Sequence, residues 1–257
     1  MESPLAADAV AGITDEELQA VVAKHWEHMM RWAPAWATTL GDHRYDDQLA
    51  RRNAAAIAEG ARERHALWSH LRSIDYTELD DADRITYFVL DARLESEVKL
   101  DACRLHEWAV DSGGSSLFGE LSYLVESHTV KEPRDAENLV ARMRQARLLI
   151  EDTIENLQTG LDAGRVAAAE KVRRAIEQLD GELAKPADAW AMSQPAWAAK
   201  PGYPIDALRD VVATQIVPAV AALRDFLRDR VLPRGRTGKE GLAGLPDGER
   251  CYRAAIL

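Results

Sequence analysis

Between Pro133 and Gly164, apolar residues recur at steps of three and four: Leu139, Met143, Ala146, Ile150, Ile154, Leu157 and Leu161. A strand shows side chains to one face at every second position, whereas a helix does so at steps of three and four, so this stretch can bury one continuous stripe only as a helix. Pro133 suits a first turn, where its missing N–H costs nothing, and Gly164 suits a stop. Alternating runs of period two are scarce elsewhere, and the chain reads as all-α.

The same periodicity, with breakers between, predicts a multi-helix bundle of about six long helices. Thr14 and Glu17 form a capping-box pattern, opening a helix that carries Leu18, Val21, Val22, His25 and Met29 and that Pro34 ends or kinks. A second helix is expected from about Asp46 to Leu71, with an Ala-rich middle for close packing. A third, rich in acidic residues at its start, runs through Ile85, Phe88, Val89, Ala92, Leu94 and Val98 and on toward Val110, where Gly113 and Gly114 break the pattern. After the fourth, marked by the stripe above, come a fifth from about Val166 to Leu183 and a sixth from about Ile205 to Val231 that bends at Pro218. Between these last two, KPADAWAMSQPAWAAKPGYP holds too many prolines for a helix and reads as a connection whose tryptophans pack on the body, or as the wall of a cleft. The expected organisation is a disordered N-terminus over 1–13, a helical domain over 14–232 and a Gly-rich tail over 233–257.

A net charge of −11 with basic residues interleaved among acids argues against nucleic acid and gives no attraction to anionic membranes. No apolar run is long enough to span a bilayer, and MESPLAADAVAGITDEE lacks the basic and apolar regions of a secretory signal. The two cysteines, Cys103 and Cys251, offer neither a disulfide framework nor a metal pair, which points to a reducing, cytoplasmic setting.

Candidate chemistry is sparse. His106-Glu107 begins a His-Glu-x-x-His pattern, but Val110 stands where the second imidazole belongs, so the pair reads as the polar side of a helix. His25 and His28 share a helix face and are within reach of one metal ion, yet Trp26, Met29, Met30 and Trp32 make this a crowded packing surface. The serines of DSGGSSLF follow no strand and lack the Lys-Ser/Thr ending of a phosphate loop. No catalytic or metal-ligating residue is assigned. The densest polar cluster is GDHRYDD: Gly41 permits a turn, Asp42 and Asp46 can cap it, and His43, Arg44 and Tyr45 place an acid-base group, a carboxylate-binding fork and an aromatic donor together. Asp42, His43, Arg44 and Tyr45 are the candidate substrate-binding residues.

At that loop the chain resembles a bacterial family known as domain of unknown function 885. The segments PAWATTLGDHRYDD, LDDADRITYFVLDARLE, SGG, EPRDAENLVARMRQ, VVATQIVPAVAALRDFLRDRVLP and GLAGLPDGERCYRAAI follow the family pattern in order over nearly the whole chain. Members look like zinc metallopeptidases of the mostly helical, deep-channel type, with a His-Glu motif and a Pro-Gly-His in the carboxy-terminal half. The resemblance therefore implies that residues 14–231 wall one side of a substrate channel, with GDHRYDD facing it and a peptide as ligand. It also implies that zinc and the catalytic motif belong to a half beyond Tyr252, and the closing Ala-Ala-Ile-Leu reads as the first turn of an element that continues. On that reading the chain is inactive alone and carries an apolar face for the carboxy-terminal half or for self-association. The rival is a stand-alone, non-catalytic helical binding or scaffold protein without such a patch. A third possibility is an enzyme whose metal is held by His25, His28, His43 or His106.

Overall fold

The computed structural model describes residues 5–238 and 241–256; residues 1–4, within the expected disordered N-terminus, lie outside the described residues. The fold is all-α, and the nearest thing to a strand among the described residues is one isolated bridge between Ala168 and Arg236. In chain order the helices are α1 (Ala6–Ala9), α2 (Glu16–Trp32), α3 (Pro34–Leu40), α4 (Ala54–Leu71), α5 (Asp81–Leu100) and α6 (Leu117–Ser127). There follow α7 (Pro133–Met143), α8 (Ala146–Asp162), α9 (Ala169–Leu183), α10 (Ile205–Val211), α11 (Val217–Phe226) and α12 (Gly248–Ala255).

Two hydrophobic clusters form the interior. The larger is built on α6 to α11, around Leu139, Met143, Ile150, Val172 and Ile216, all at or near zero exposure. The stripe that opened the sequence reading supplies much of it, although Ile154 is only partly buried. The single expected helix over this stretch is two, interrupted at Arg144 and Gln145. There the Gln145 side chain accepts from Leu49 N at 3.2 Å and donates to Asp47 O at 2.7 Å, tying the break to the segment before α4. The proline-rich connection packs its tryptophans as expected: Trp190 is wholly buried, edge-on to Phe118 at 5.3 Å, and its Nε1 donates to Glu182 O at 2.9 Å. The last long helix does not simply kink at Pro218. It widens into a π turn over Val212–Ile216 just before the proline, which loosens the ladder where that residue has no N–H to give.

The smaller cluster joins α2, α4 and α5 through Leu18, Val21, Leu67, Leu71, Leu90 and Leu94. Here α5 departs from expectation. Ile85, Phe88 and Val89 point to solvent, at 66%, 49% and 67% exposure, and the inward residues are Asp83, Tyr87, Leu90 and Leu94. Polar anchors fix this rotation. The buried Asp83 carboxylate accepts from Thr14 N at 3.0 Å, Thr14 Oγ1 at 2.9 Å and Asp15 N at 2.8 Å, while Asp91 accepts from Trp68 Nε1 at 2.7 Å and Arg72 Nε at 2.8 Å. Thr14 is thereby drawn away from capping. Asp15 caps α2 instead, through Leu18 N at 2.7 Å.

The second helix starts at Ala54, capped by Asn53, and not at Asp46. Residues before it are held extended against α8: Arg51 forks onto the buried Asp152 at 2.8 and 2.7 Å, and Asn156 Nδ2 donates to Arg52 O at 2.6 Å. The third helix stops at Leu100, short of Val110, because two 3-10 turns follow with Arg104 in the left-handed region at φ 45°.

The reading of the cysteines as unlinked is corrected. Cys103 and Cys251 form a disulfide joining the turn after α5 to α12 across a sequence separation of 148. No helix among the described residues is long and apolar enough to cross a membrane.

Candidate functional site

The GDHRYDD loop divides its side chains by depth. Gly41 closes α3 at φ 94°, the left-handed geometry that glycine alone adopts freely. Asp42 is fully buried beneath Arg44, accepting from Nε at 2.9 Å and from a terminal nitrogen at 2.7 Å. Arg44 continues to Glu27 on α2 at 2.9 Å, and the carboxylate contacts, led by Asp42, raise its pKa further. Asp46 is likewise buried and accepts from Thr38 Oγ1 at 2.6 Å. His43 stands mostly in solvent with Nδ1 on Asp46 at 2.8 Å. Of the four candidate substrate-binding residues, Asp42 and Arg44 thus work as a scaffold, His43 lies outside, and Tyr45 borders a cleft.

One residue that the sequence reading did not single out fixes the loop from below. Arg142 on α7 is 1% exposed, donating to Tyr45 O at 2.6 Å and Thr38 Oγ1 at 2.8 Å, and a terminal nitrogen lies 3.3 Å from His128 Nδ1. Burial lowers its pKa to about 10, against the opposing pull of Asp46 and Asp47. His128 sits with Nε2 on Asp135 O at 3.0 Å, so Nε2 carries the proton and Nδ1 accepts from Arg142. Desolvation keeps this imidazole neutral by lowering its pKa. A buried charged residue inside an amphipathic helix leaves no mark in hydrophobic periodicity.

The cleft lies between α2 and α4, with Tyr45 at one end and a volume of about 580 Å³. Small or apolar residues, Ala23, Ala66 and Leu67, form part of its lining. Its walls carry Lys24, Glu27, His28, Arg31, Glu63 and His70. At the centre, Glu63 Oε2 accepts from His28 Nδ1 at 2.9 Å, from Trp32 Nε1 at 2.7 Å and from Arg31, leaving Oε1 without a hydrogen bond. Burial resists the charge on Glu63, but the bonds from Trp32, Arg31 and His28 outweigh it and bring the pKa down to about 2. His28 is buried, and desolvation lowers its pKa although Glu63 opposes the shift.

His106 and Glu107 are not a solvated helix face. Glu107 is 2% exposed in a 3-10 turn and pairs with Arg104 and Arg165. His106 borders a separate groove of about 430 Å³ between α4 and α8. A wider trough of about 800 Å³ runs beside α12, lined by long surface side chains such as Lys99, Arg250 and Arg253. A zinc ion would need several free lone pairs at one point. Among the described residues no three His, Cys, Asp or Glu side chains gather at one point where they could hold such an ion.

The fold and cleft define an all-α protein with a polar, part-apolar groove held between helices. Residues 34–257 match the family model described as bacterial protein of unknown function (DUF885), and the chain belongs to that family. No curated protein matches it.

Proposed function

We propose that the chain is the helical, substrate-holding part of a peptide-hydrolase-like protein, with a short peptide lying in the cleft between α2 and α4. The supporting observation is the composition of that cleft at about 580 Å³, within the range of small-ligand sites. A peptide backbone presents donors and acceptors in turn. Glu63 Oε1 accepts, Lys24 and Arg31 donate, Tyr45 gives an aromatic face, and Ala23, Ala66 and Leu67 give room for an apolar side chain. The zinc chemistry that the family resemblance implies is supplied by residues other than those forming this cleft. The exposed face of Ile85, Phe88 and Val89 is the corresponding contact surface for such a partner segment or a second copy.

A second reading, a binding protein without chemistry, draws support from Glu63 itself. A general base works best with a pKa near the operating pH, whereas Glu63 is held at about 2 and stays a fixed charge. Both readings require peptide binding. The test is calorimetric titration with short peptides free at both ends, on wild type, Tyr45→Ala and Lys24→Ala, with mass spectrometry of the mixture after zinc is added. Saturable binding that weakens about tenfold in either variant supports the cleft. Cleavage separates the first reading from the second. Binding unaffected by both variants moves the site elsewhere, and no binding by any peptide overturns the proposal.

A further inference from the structure

The fastening of α12 differs from that of every longer helix. It has eight residues, its N-cap Asp247 makes no side-chain capping bond, and its buried positions are Gly248, Cys251 and Ala254. Its large apolar residues face outward, Tyr252 at 56% and Ile256 at 64% exposure. Burial of three such small residues removes little apolar surface from water, and a helix of this length is unstable by itself. Its ion pair, Arg253 with Glu249, is internal. What ties it to the body, where it packs on the C-terminal end of α5 and the turn Asp101–Cys103, is the Cys103–Cys251 bond, beside which, among the described residues of this tail, only Leu245 adds a large buried apolar side chain.

We propose that this disulfide is a redox latch: oxidised, it holds α12 against α5, and reduced, it releases residues 245–256 and dismantles the trough bordered by Lys99, Asp247 and Arg250. The chemistry is thiol–disulfide exchange with a small-molecule thiol such as glutathione. Its thiolate attacks Cys251 Sγ, the S–S bond breaks, and Cys103 leaves as a thiolate that takes a proton. A second thiol resolves the mixed disulfide, so two small-molecule thiols supply two electrons and leave as their own disulfide. Both cysteines are 4% exposed, so the exchange follows local opening of α12. The latch is closed in an oxidising compartment and open in a reducing one.

Hydrogen exchange read by mass spectrometry on the full chain, equilibrated with glutathione disulfide or with excess reduced glutathione, tests this. Reduction is expected to speed exchange in residues 245–256 by about tenfold or more, while α7 and α8 keep their protection. Cys251→Ser should reproduce the reduced pattern under both conditions, and chemical reduction of the wild type stands in for it if that variant does not fold. Equal protection of α12 in oxidised and reduced protein overturns the proposal. So does finding two alkylatable thiols after equilibration with glutathione disulfide.

Discussion

Ile150 and Leu94 are both wholly buried, but the helices that bury them are made differently. Helix α8 buries Leu149, Ile150, Leu157 and Leu161 beside only two polar residues, Asp152 and Asn156, so its apolar stripe and its inward face largely coincide. Helix α5 buries a carboxylate and a phenol with two leucines, and sends an isoleucine, a phenylalanine and a valine outward. In the larger cluster, removal of apolar area from water sets the packing. In the smaller one, bonded polar groups decide which way a helix turns, and the cleft between α2 and α4 lies on that side of the molecule.

The largest effect should come from cutting into the larger cluster. Ile150→Ala removes buried methylenes among neighbours that cannot collapse, at about 3–5 kcal/mol of unfolding free energy, and Leu94→Ala should cost about 2–3 kcal/mol at the smaller cluster. Urea denaturation of both variants checks the order. An equal or reversed order would mean that the smaller cluster is as tightly packed as the larger.

Next comes the residue that holds the GDHRYDD loop from below. Arg142→Met leaves Thr38 Oγ1 and Tyr45 O without their buried donor and removes the charge 3.8 Å from Asp46, an expected loss of about 3 kcal/mol. Because Tyr45 is positioned through that carbonyl, peptide affinity should fall with stability. A variant that keeps wild-type affinity would show that the loop is held without α7.

Acid should act in two separate windows. Burial lowers the pKa of His25, His28, His106 and His128 from 6.5, so the folded state prefers the neutral imidazole and the unfolded chain binds more protons below that value. Stability is full above pH 6.5 and is lost as the pH falls through the folded-state values, a drop of a few degrees in Tm. Glu63 works lower down. Its contribution is present above its ordinary 4.5 and disappears as the pH falls through about 2, so Glu63→Gln should flatten that lower window in a Tm-against-pH series.

These contrasts mark what periodicity can reveal. The all-α class, the stripe from Leu139 to Leu161 and the buried tryptophans of the proline-rich connection were legible, because each follows from local spacing and apolar area. Tyr45 was legible as part of a polar loop, but its cleft was not, since Lys24, His28 and Glu63 come from two other helices. The Cys103–Cys251 bond was hidden for the same reason, its partners lying 148 residues apart with no motif between them. The burial of Asp83 was not legible either: an acidic residue in a first turn is an ordinary dipole partner facing water, and here it is the anchor for Thr14 and Asp15.

The smallest predicted effect is therefore the most pointed. Val89 and Leu90 are adjacent, similar in hydrophobicity and in the same helix, yet one is 67% and the other 8% exposed. Val89→Thr keeps the shape and nearly the helix propensity, so it should change stability by less than about 0.5 kcal/mol, whereas Leu90→Ala should cost about 2–3 kcal/mol. A reading from periodicity alone predicts the reverse, with Val89 in the core. If Val89→Thr destabilises dilute protein by as much as Leu90→Ala, α5 is rotated relative to the arrangement that Asp83 and Asp91 impose. If it does so only at high protein concentration, the face of Ile85, Phe88 and Val89 is buried between copies, because stability gained by association rises with concentration.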